Sequence, residues 1–251
     1  MANLRFAALR EPRAACITGG ARGLGRATAL RIAEEGRVIA LLDVLDEEGE
    51  QTVADIEALG QRALYTRTDV TDPDQVHRAI DQVAKTFGRL DILVCCAGIL
   101  GWEKPFLEQP PEQFAKVMDI NVHGVYHAHQ AAIPHMLKGG WGRCLTITSG
   151  ARRGAPNQVP YSVSKGATFS FVQSLGNVWA KQGVFVNGIE PGRALTDMVV
   201  PRFSQAHLED PGNPMGRYSD PEEVAEVIEF LCSERNTYTT GSVWNVKGGS
   251  G

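Results

Sequence analysis

The 251-residue sequence contains 43% hydrophobic and 22% charged residues, which is typical of folded globular proteins. Lysine and arginine number 25 against 29 aspartates and glutamates, so the formal net charge is −4. We expect no nucleic-acid or anionic-membrane partner, because such partners favour a basic excess, and every apolar run is shorter than the roughly 18 residues of a membrane span.

Apolar runs alternate with helical patterns along the chain. The predicted strands are 14–18, 38–43, 63–68, 92–96, 144–148, 184–189 and 242–246, and the predicted helices are 23–35, 47–59, 73–87, 112–137, 162–181 and 221–232. Nearly continuous apolar strands are typical of a parallel sheet with helices on both faces. The sequence predicts an α/β, single-domain Rossmann fold over residues 1–251, with a doubly wound seven-stranded parallel sheet.

The segment 193–217 interrupts this alternation. It contains Pro201, Pro211, Gly212 and Pro214, and only 198–208 has a short amphipathic pattern. Long loops in compact domains are often binding loops. Because this one follows a predicted strand, we expect it at the carboxyl ends of the strands, where it would bind substrate.

Glycines dominate the turn after the first predicted strand. Gly19, Gly23 and Gly25 stand there with Arg22 and Leu24 between them, and the next helix starts inside the turn. A pyrophosphate needs bare backbone to approach and the free N–H groups at a helix start, and this turn supplies both. A plain tight turn is the alternative, but the position between a strand and a helix favours a dinucleotide site.

Asp43 ends the second predicted strand, where an acidic side chain accepts hydrogen bonds from the adenosine ribose and repels a 2′-phosphate. Arg22 acts in the opposite direction, because a cation attracts that phosphate. We take Asp43 as the stronger determinant and predict NAD as the cofactor, with NADP disfavoured. A solvated strand-end acid or a helix cap is the alternative interpretation of Asp43.

Tyr161 and Lys165 are separated by one helical turn. On a helix they share one face, where an ammonium group lowers the pKa of a phenol from its usual value near about 10. Ser149 ends a predicted strand and is suited to hydrogen-bond a carbonyl or alcohol oxygen, with Thr148 as the alternative. On spacing alone, the Tyr–Lys pair is also typical of a solvated helix face.

Taken together, these motifs resemble the short-chain dehydrogenase/reductase family over residues 14–249. The family's T-G-x-x-x-G-x-G pattern matches Thr18 to Gly25, and its Y-x-x-x-K pattern matches Tyr161 and Lys165. The resemblance implies that Tyr161 is the general acid and base, that Lys165 lowers its pKa and binds the nicotinamide ribose, and that Ser149 orients the substrate oxygen. It also implies that Asn121 holds a water in a proton relay.

The same resemblance extends the cofactor site. It implies adenine contacts for Asp69 and Val70, a close approach of the backbone at Cys96, Ala97 and Gly98, and contacts with the nicotinamide side for Pro191, Gly192 and Thr196.

The sequence departs from the family pattern at four positions. Cys95 and Cys96 replace two asparagines that normally bond neighbouring backbone, so we expect this part of the sheet to be less rigid or repacked by the thiols. Glu190 replaces a small residue and is expected near the cofactor end of the site. Lys247 replaces the acid of the terminal pattern.

Two further groups carry weaker signals. Arg152, Arg153 and Arg193 lie in loops that should rim the pocket and could clamp an anionic substrate, although exposed or interface arginines are the commoner interpretation. His123 and His127 have a spacing that can hold zinc, but no acid–histidine pattern accompanies them, so we expect no metal.

These observations favour an NAD-dependent oxidoreductase that interconverts a secondary alcohol and a ketone in a sugar, a polyol or a small, anionic hydroxy compound. A 3-oxoacyl thioester reductase and a non-catalytic dinucleotide sensor are the alternatives. The odd number of scattered cysteines, five, indicates free thiols and a cytoplasmic protein. The resemblance and the broadly apolar helices 112–137 and 162–181 imply a homotetramer, with a dimer as the alternative.

Overall fold

The computed structural model describes residues 12–196, 198–200, 204 and 212–250. One parallel sheet contains seven strands, in the order β3-β2-β1-β4-β5-β6-β7. The strands are β1 (Ala14–Thr18), β2 (Val38–Asp43), β3 (Ala63–Arg67), β4 (Ile92–Cys95), β5 (Gly142–Ile147), β6 (Val184–Pro191) and β7 (Val243–Val246). The predicted doubly wound sheet is confirmed.

Helices cover both faces of this sheet. They are α1 (Gly23–Glu34), α2 (Asp46–Ala58), α3 (Pro73–Phe87), α4 (Pro111–Met118), α5 (Gly124–Gly139), α6 (Val159–Leu175) and α7 (Pro221–Cys232). One buried core joins Ile32 of α1 and Ile228 of α7 to the sheet. The other joins Ile80 of α3 and Ile133 of α5 to its opposite face, and Phe171 of α6 packs against it. Alternate residues of the central strands feed the two cores, which is why those strands are apolar throughout.

Two predicted helices have different limits in the structure. The helix predicted at 112–137 is divided into α4 and α5 by a π-helical segment, Asp119–His123. The helix predicted at 162–181 begins earlier, at Val159, because Pro160 is compatible with a first helical turn. That helix ends at Leu175, where Gly176 packs so closely on Gly241 that a Cβ would collide with its backbone.

The two ends of the sheet have different surroundings. At the amino ends of the strands, buried ion pairs join Arg13 to Asp91 at 3.1 Å and Arg37 to Glu229 at 2.9 Å. At the carboxyl ends, the loops separate around a cleft of about 390 Å³. The predicted amphipathic stretch 198–208 lies mostly outside the described residues. No helix in the described ranges is long and apolar enough to cross a membrane.

Candidate active site

The cleft lies where β1 and β4 are adjacent, so that the chain runs outward from this point in both directions across the sheet. Ligands of open parallel sheets bind at such a switch point. All residues that the sequence assigns to cofactor binding line the cleft: Gly19, Arg22, Gly23, Leu24, Gly25, Asp43, Asp69, Val70, Cys96, Ala97, Gly98, Tyr161, Lys165, Pro191, Gly192 and Thr196. Ser149 and Thr148 line it as well.

The glycine turn forms a bare floor for a phosphate group. Gly19 has a φ of +67°, and a Cβ there would lie 2.5 Å from the Ala97 amide nitrogen. A Cβ at Gly25 would collide with the Gly19 carbonyl oxygen. Helix α1 begins at Gly23 and no side chain caps it, so its first N–H groups remain available to an anion. This geometry fits a dinucleotide pyrophosphate.

The Asp43 carboxylate is held at the end of β2 by backbone donors. The Ala21 N–H donates to Oδ2 at 3.0 Å, and the Val44 N–H donates to Oδ1 at 2.7 Å. The carboxylate is therefore fixed beside the glycine turn and faces the part of the cleft that Asp69 and Val70 also line. Its position fits recognition of a ribose hydroxyl.

Tyr161 and Lys165 lie in the first half of α6, together with a partner from the loop after β5. The side chains of Tyr161 and Ser149 both line the cleft, and the Ser149 hydroxyl interacts with the Tyr161 phenol. Lys165 is buried, its Nζ donates to the Ile147 carbonyl at 2.7 Å, and it lies 5.5 Å from the centroid of the Tyr161 ring. Thr148 instead donates to the Ile189 carbonyl at 2.9 Å, so its hydroxyl is engaged in the core.

Burial is the largest influence on the pKa values of Tyr161 and Lys165. It raises the pKa of the Tyr161 phenol above its usual value, and the interaction with Ser149 opposes that rise. The sequence predicts that Lys165 lowers the pKa of Tyr161. The net shift of the Tyr161 pKa is upward, because desolvation of the phenol outweighs the opposing interaction. Burial also lowers the pKa of Lys165 to about 8, so this side chain remains largely cationic at neutral pH.

Asn121 lies in the π-helical segment, directly behind the cleft, and does not line it. Its side chain accepts from the Ile99 N–H at 2.8 Å and donates to the Ile99 carbonyl at 2.9 Å. The same amide donates to the Ser164 hydroxyl at 3.0 Å, and that hydroxyl donates to the Tyr161 carbonyl at 2.8 Å. Sequence reasoning missed Ser164, because its partner Asn121 comes from a distant segment and its own position carries no motif signal.

The two adjacent cysteines point to opposite faces of the sheet. Cys96 lines the cleft, whereas Cys95 is buried in the core with its sulfur 3.7 Å from Nδ1 of His129. Burial raises the pKa of the Cys96 thiol to about 12. Both therefore pack as neutral thiols at physiological pH.

The arginines proposed for substrate binding have protein partners. Arg152 and Arg153 donate to the Glu190 carboxylate at 2.7 and 3.0 Å. Arg193 lies 3.4 Å from the Tyr218 hydroxyl. None of the three is among the described residues that line the cleft, and neither is Glu190, although the next residues of its strand, Pro191 and Gly192, are.

The two helical histidines have separate partners. His123 bonds the Asp119 carboxylate at 3.0 Å, and His127 bonds the Val70 carbonyl at 3.0 Å. Within the ranges that the structure describes, no group of three or more His, Cys, Asp or Glu side chains is arranged to hold a metal ion.

Comparison with known proteins extends over nearly the whole chain. A family model described as enoyl-(acyl carrier protein) reductase matches residues 19–250. The chain is 36% identical over 247 residues to the 2-dehydro-3-deoxy-L-rhamnonate dehydrogenase (NAD(+)) of Sphingomonas sp. (strain SKA58), covering 97% of each chain. It is 37% identical over 242 residues to the cis-4-hydroxycyclohexanecarboxylate dehydrogenase of Sinomonas cyclohexanicum, covering 94% of this chain and 96% of that one.

Solved structures agree with these relatives. A short-chain type dehydrogenase/reductase from Mycobacterium marinum superimposes with a TM-score of 0.90 at 32% identity, covering 95% of each chain.

Proposed function

The chain belongs to the short-chain dehydrogenase/reductase family, and on that basis we propose that it is an NAD-dependent oxidoreductase that interconverts a secondary alcohol and a ketone. The observation that carries the proposal is the convergence of the Ser149 hydroxyl, the Tyr161 phenol and the Lys165 ammonium at one end of a cleft with a phosphate-binding floor. The substrate class is a sugar, a polyol or a small hydroxy acid. Two relatives named for sugar-acid and hydroxycarboxylate oxidation support that class.

The residues of the cleft divide the binding of the cofactor among them. Gly19, Gly23 and the start of α1 would hold the pyrophosphate, and Asp43 would accept from the adenosine ribose. Asp69 and Val70 would contact the adenine, while Pro191, Gly192 and Thr196 would contact the nicotinamide side. When bound, the nicotinamide supplies a hydride acceptor for oxidation or a hydride donor for reduction.

The protein's own groups manage the proton and the substrate oxygen. During oxidation Tyr161 takes the hydroxyl proton of the alcohol, and during reduction it returns a proton to the carbonyl oxygen. Ser149 orients that oxygen through the hydroxyl that already contacts Tyr161. The buried Lys165 ammonium stabilises the phenolate, and Asn121 fixes the backbone of Ile99 at the wall of the cleft and holds the relay water.

A 3-oxoacyl thioester reductase is the second candidate. The matching family model favours it, because its description names an acyl-carrier-protein substrate. The NAD preference that we assign to Asp43 argues for the alcohol dehydrogenase. Comparison of 3-oxoacyl thioester reduction with alcohol oxidation, using both dinucleotides, separates the two.

The test is a turnover assay. The protein is incubated with NAD and a panel of aldoses, polyols, sugar acids and cyclic hydroxy acids, and reduction is followed by nicotinamide absorbance. We expect at least one class to be oxidised, and Tyr161→Phe to lower kcat/KM by about 10²- to 10⁴-fold with NAD binding retained. Tight NAD binding without turnover across the panel would instead favour the sensor.

Further proposals concern the architecture and assembly. We propose that residues 1–251 form one dinucleotide-binding domain, with 193–217 as its substrate-binding loop. We also propose a homotetramer, supported by the exposed Phe114, Tyr126 and Val163 on three neighbouring helices and Trp244 on the edge strand. Light scattering should give a mass of four times 27.2 kDa. A mass of twice 27.2 kDa would indicate the alternative dimer, and a monomer would contradict both.

Five free cysteines support a reducing, cytoplasmic location.

A further inference from the structure

Glu190 is the most enclosed charged residue near the cleft, with an exposure of 0%. Its Oε2 accepts from Nε of Arg152 at 2.7 Å, and its Oε1 accepts from Nη1 of Arg153 at 3.0 Å. Lys247, whose side chain is 7% exposed, forms an ion pair with Oε1. One carboxylate thus gathers three cations, from the loop after β5 and from the segment after β7.

This cluster holds the turn that directly follows Ser149. Arg152 and Arg153 end that turn, a short 3₁₀ segment, Gly150–Arg153. A Cβ at Gly150 would lie 3.4 Å from Oε1 of Glu190 and 3.5 Å from Nζ of Lys247, so the backbone of the turn packs directly on the ion pair. The guanidinium of Arg152 also lies 3.8 Å from the ring centroid of Phe169 on α6.

The same 3₁₀ turn holds the side chain of Ser149 in place. The Ala151 N–H donates to the Ser149 hydroxyl at 3.2 Å, and the same hydroxyl shares the cleft with the Tyr161 phenol and interacts with it. A displacement of the turn therefore changes where the Ser149 hydroxyl stands.

The charge balance makes Glu190 the centre of the arrangement. Burial raises the pKa of the Glu190 carboxyl, and bonds from Lys247 and Arg152 outweigh this and lower it. Without the carboxylate, three cations would face one another with no shared counter-ion, and two of them are attached to the turn. Their repulsion would move the turn away from β6.

We propose that Glu190 is a positioning residue for Ser149: its carboxylate binds Arg152, Arg153 and Lys247 and so fixes the turn that holds the serine hydroxyl against Tyr161. The inference rests on the proposed function, because it assigns Glu190 a role in the same proton-transfer site. Glu190 does not itself line the cleft, so its action is exerted through the turn.

The experiment measures the ionisation of the phenol directly and needs no substrate. A fluorinated tyrosine that ionises near neutral pH is placed at position 161, and ¹⁹F NMR follows its titration. Interaction with Ser149 lowers the pKa of Tyr161, so loss of that interaction raises it. We expect Ser149→Ala, Glu190→Gln and Glu190→Asp each to raise the pKa by about one unit, because each removes the Ser149 hydroxyl from its place beside the phenol.

The two Glu190 variants separate positioning from a direct field effect. Removal of the negative charge in Glu190→Gln would by itself favour the phenolate and lower the pKa of Tyr161. Glu190→Asp keeps the charge and shortens the reach, so a field effect predicts almost no shift. An unchanged or lowered pKa in both variants would overturn the proposal. A double variant, Ser149→Ala with Glu190→Asp, should shift the pKa no further than Ser149→Ala alone.

Glu229→Gln is the matched control. Glu229 is also 0% exposed and pairs with Arg37 and Arg235, but it lies at the amino end of the sheet. We expect this variant to lose stability and to leave the titration of residue 161 unchanged. If Glu229→Gln shifted the pKa of residue 161 as much as Glu190→Gln does, the cause would be a general loss of stability, and the proposal would be overturned.

The native enzyme supplies a second readout. With the best substrate of the turnover assay, Glu190→Asp should lower kcat about tenfold and leave KM for NAD within about twofold; an unchanged kcat contradicts the proposal. If the wild type turns over no substrate, the proposed function fails, whereas the NMR titration still decides the position of Ser149.

Discussion

A single carboxylate, Asp43, sets the electrostatic character of the adenosine end of the cleft. Backbone N–H groups of Ala21 and Val44 hold it in place, so it cannot turn away from a ligand. A 2′-phosphate would bring further negative charge beside it, and Arg22 is the cation that lines the same part of the cleft. The preference for NAD over NADP thus depends on the negative charge of the Asp43 side chain more than on the shape of that side chain.

We therefore expect Asp43→Asn to lower the ratio of kcat/KM for NAD to that for NADP by at least about tenfold, because the repulsion is removed while one acceptor oxygen remains. Steady-state kinetics with both dinucleotides measures this ratio. Asp69→Asn is the control: Asp69 also lines the cleft, but its carboxylate bonds Thr71, so its change should affect the two cofactors alike. A wild type that prefers NADP would contradict the assignment.

At the level of elements, the π-helical segment between α4 and α5 follows from the bonds of Asn121. The side chain replaces a neighbouring strand for Ile99, because it both accepts from and donates to that backbone. The wider turn of the π-helical segment directs the Asn121 side chain toward the sheet. A regular α-helical turn would give the residues that follow another orientation. The same amide reaches Ser164, so the segment joins α5 to the helix that carries Tyr161.

Asn121→Ala should destabilise the fold by about 1–3 kcal/mol, because it leaves the buried N–H and carbonyl of Ile99 without their partner. It should also lower kcat, since the wall of the cleft at Ile99 loses its support. Urea unfolding and steady-state kinetics measure the two effects. Asn121→Asp keeps the acceptor and loses the donor, so its loss of stability is expected to differ, and an Asn121→Ala variant with wild-type stability would refute this role.

Elements whose limits depend on local chemistry were predicted from the sequence at their observed bounds. Helix α3 begins where the Asp72 side chain accepts from Asp74 and Gln75, and α7 begins with the capping box of Asp220 and Glu223. These signals lie within a few residues of each helix start. The strands were also predicted, β1 and β2 at their observed bounds and the others within two residues of them, because burial on both faces makes the central strands apolar throughout.

Features that depend on distant partners could not be predicted in the same way. The break at Asn121 requires the backbone of Ile99, and the ion pairs of Arg152 require Glu190. The sequence places the arginines in the correct loop, but it cannot show that their guanidinium groups form ion pairs with an acidic side chain from another strand. For the same reason, the bond that engages the alternative residue Thr148 with the Ile189 carbonyl became clear only in the structure.

Across the whole molecule, the charges at the two ends of the sheet serve different purposes. At the amino ends, the buried pair Arg13–Asp91 joins the residues that precede β1 and β4, and the buried pair Arg37–Glu229 joins the residue before β2 to α7. At the carboxyl ends, Asp43 and Lys165 face the cleft. Within the described core between these ends, His129 is a histidine that burial keeps neutral.

The surroundings of His129 make protonation unfavourable in the folded state. Its Nδ1 donates to the Val125 carbonyl at 2.9 Å, and the ring lies 5.0 Å from that of Phe171. In the described part of the chain its Nε2 has no hydrogen-bond partner. Burial lowers the pKa of His129 from 6.5 to about 4.

The fold should therefore lose stability on mild acidification. The unfolded chain binds a proton at this histidine below pH 6.5, whereas the folded chain binds it only near pH 4, so unfolding takes up a proton between these values. The free energy of unfolding should fall by about 3 kcal/mol across that interval through this one group. In His129→Phe the fall should be smaller by that amount, whereas His77→Gln, at a partly exposed position, should follow the wild type. Urea unfolding at a series of pH values compares the three proteins, and parallel profiles for wild type and His129→Phe would show that His129 does not carry the acid sensitivity.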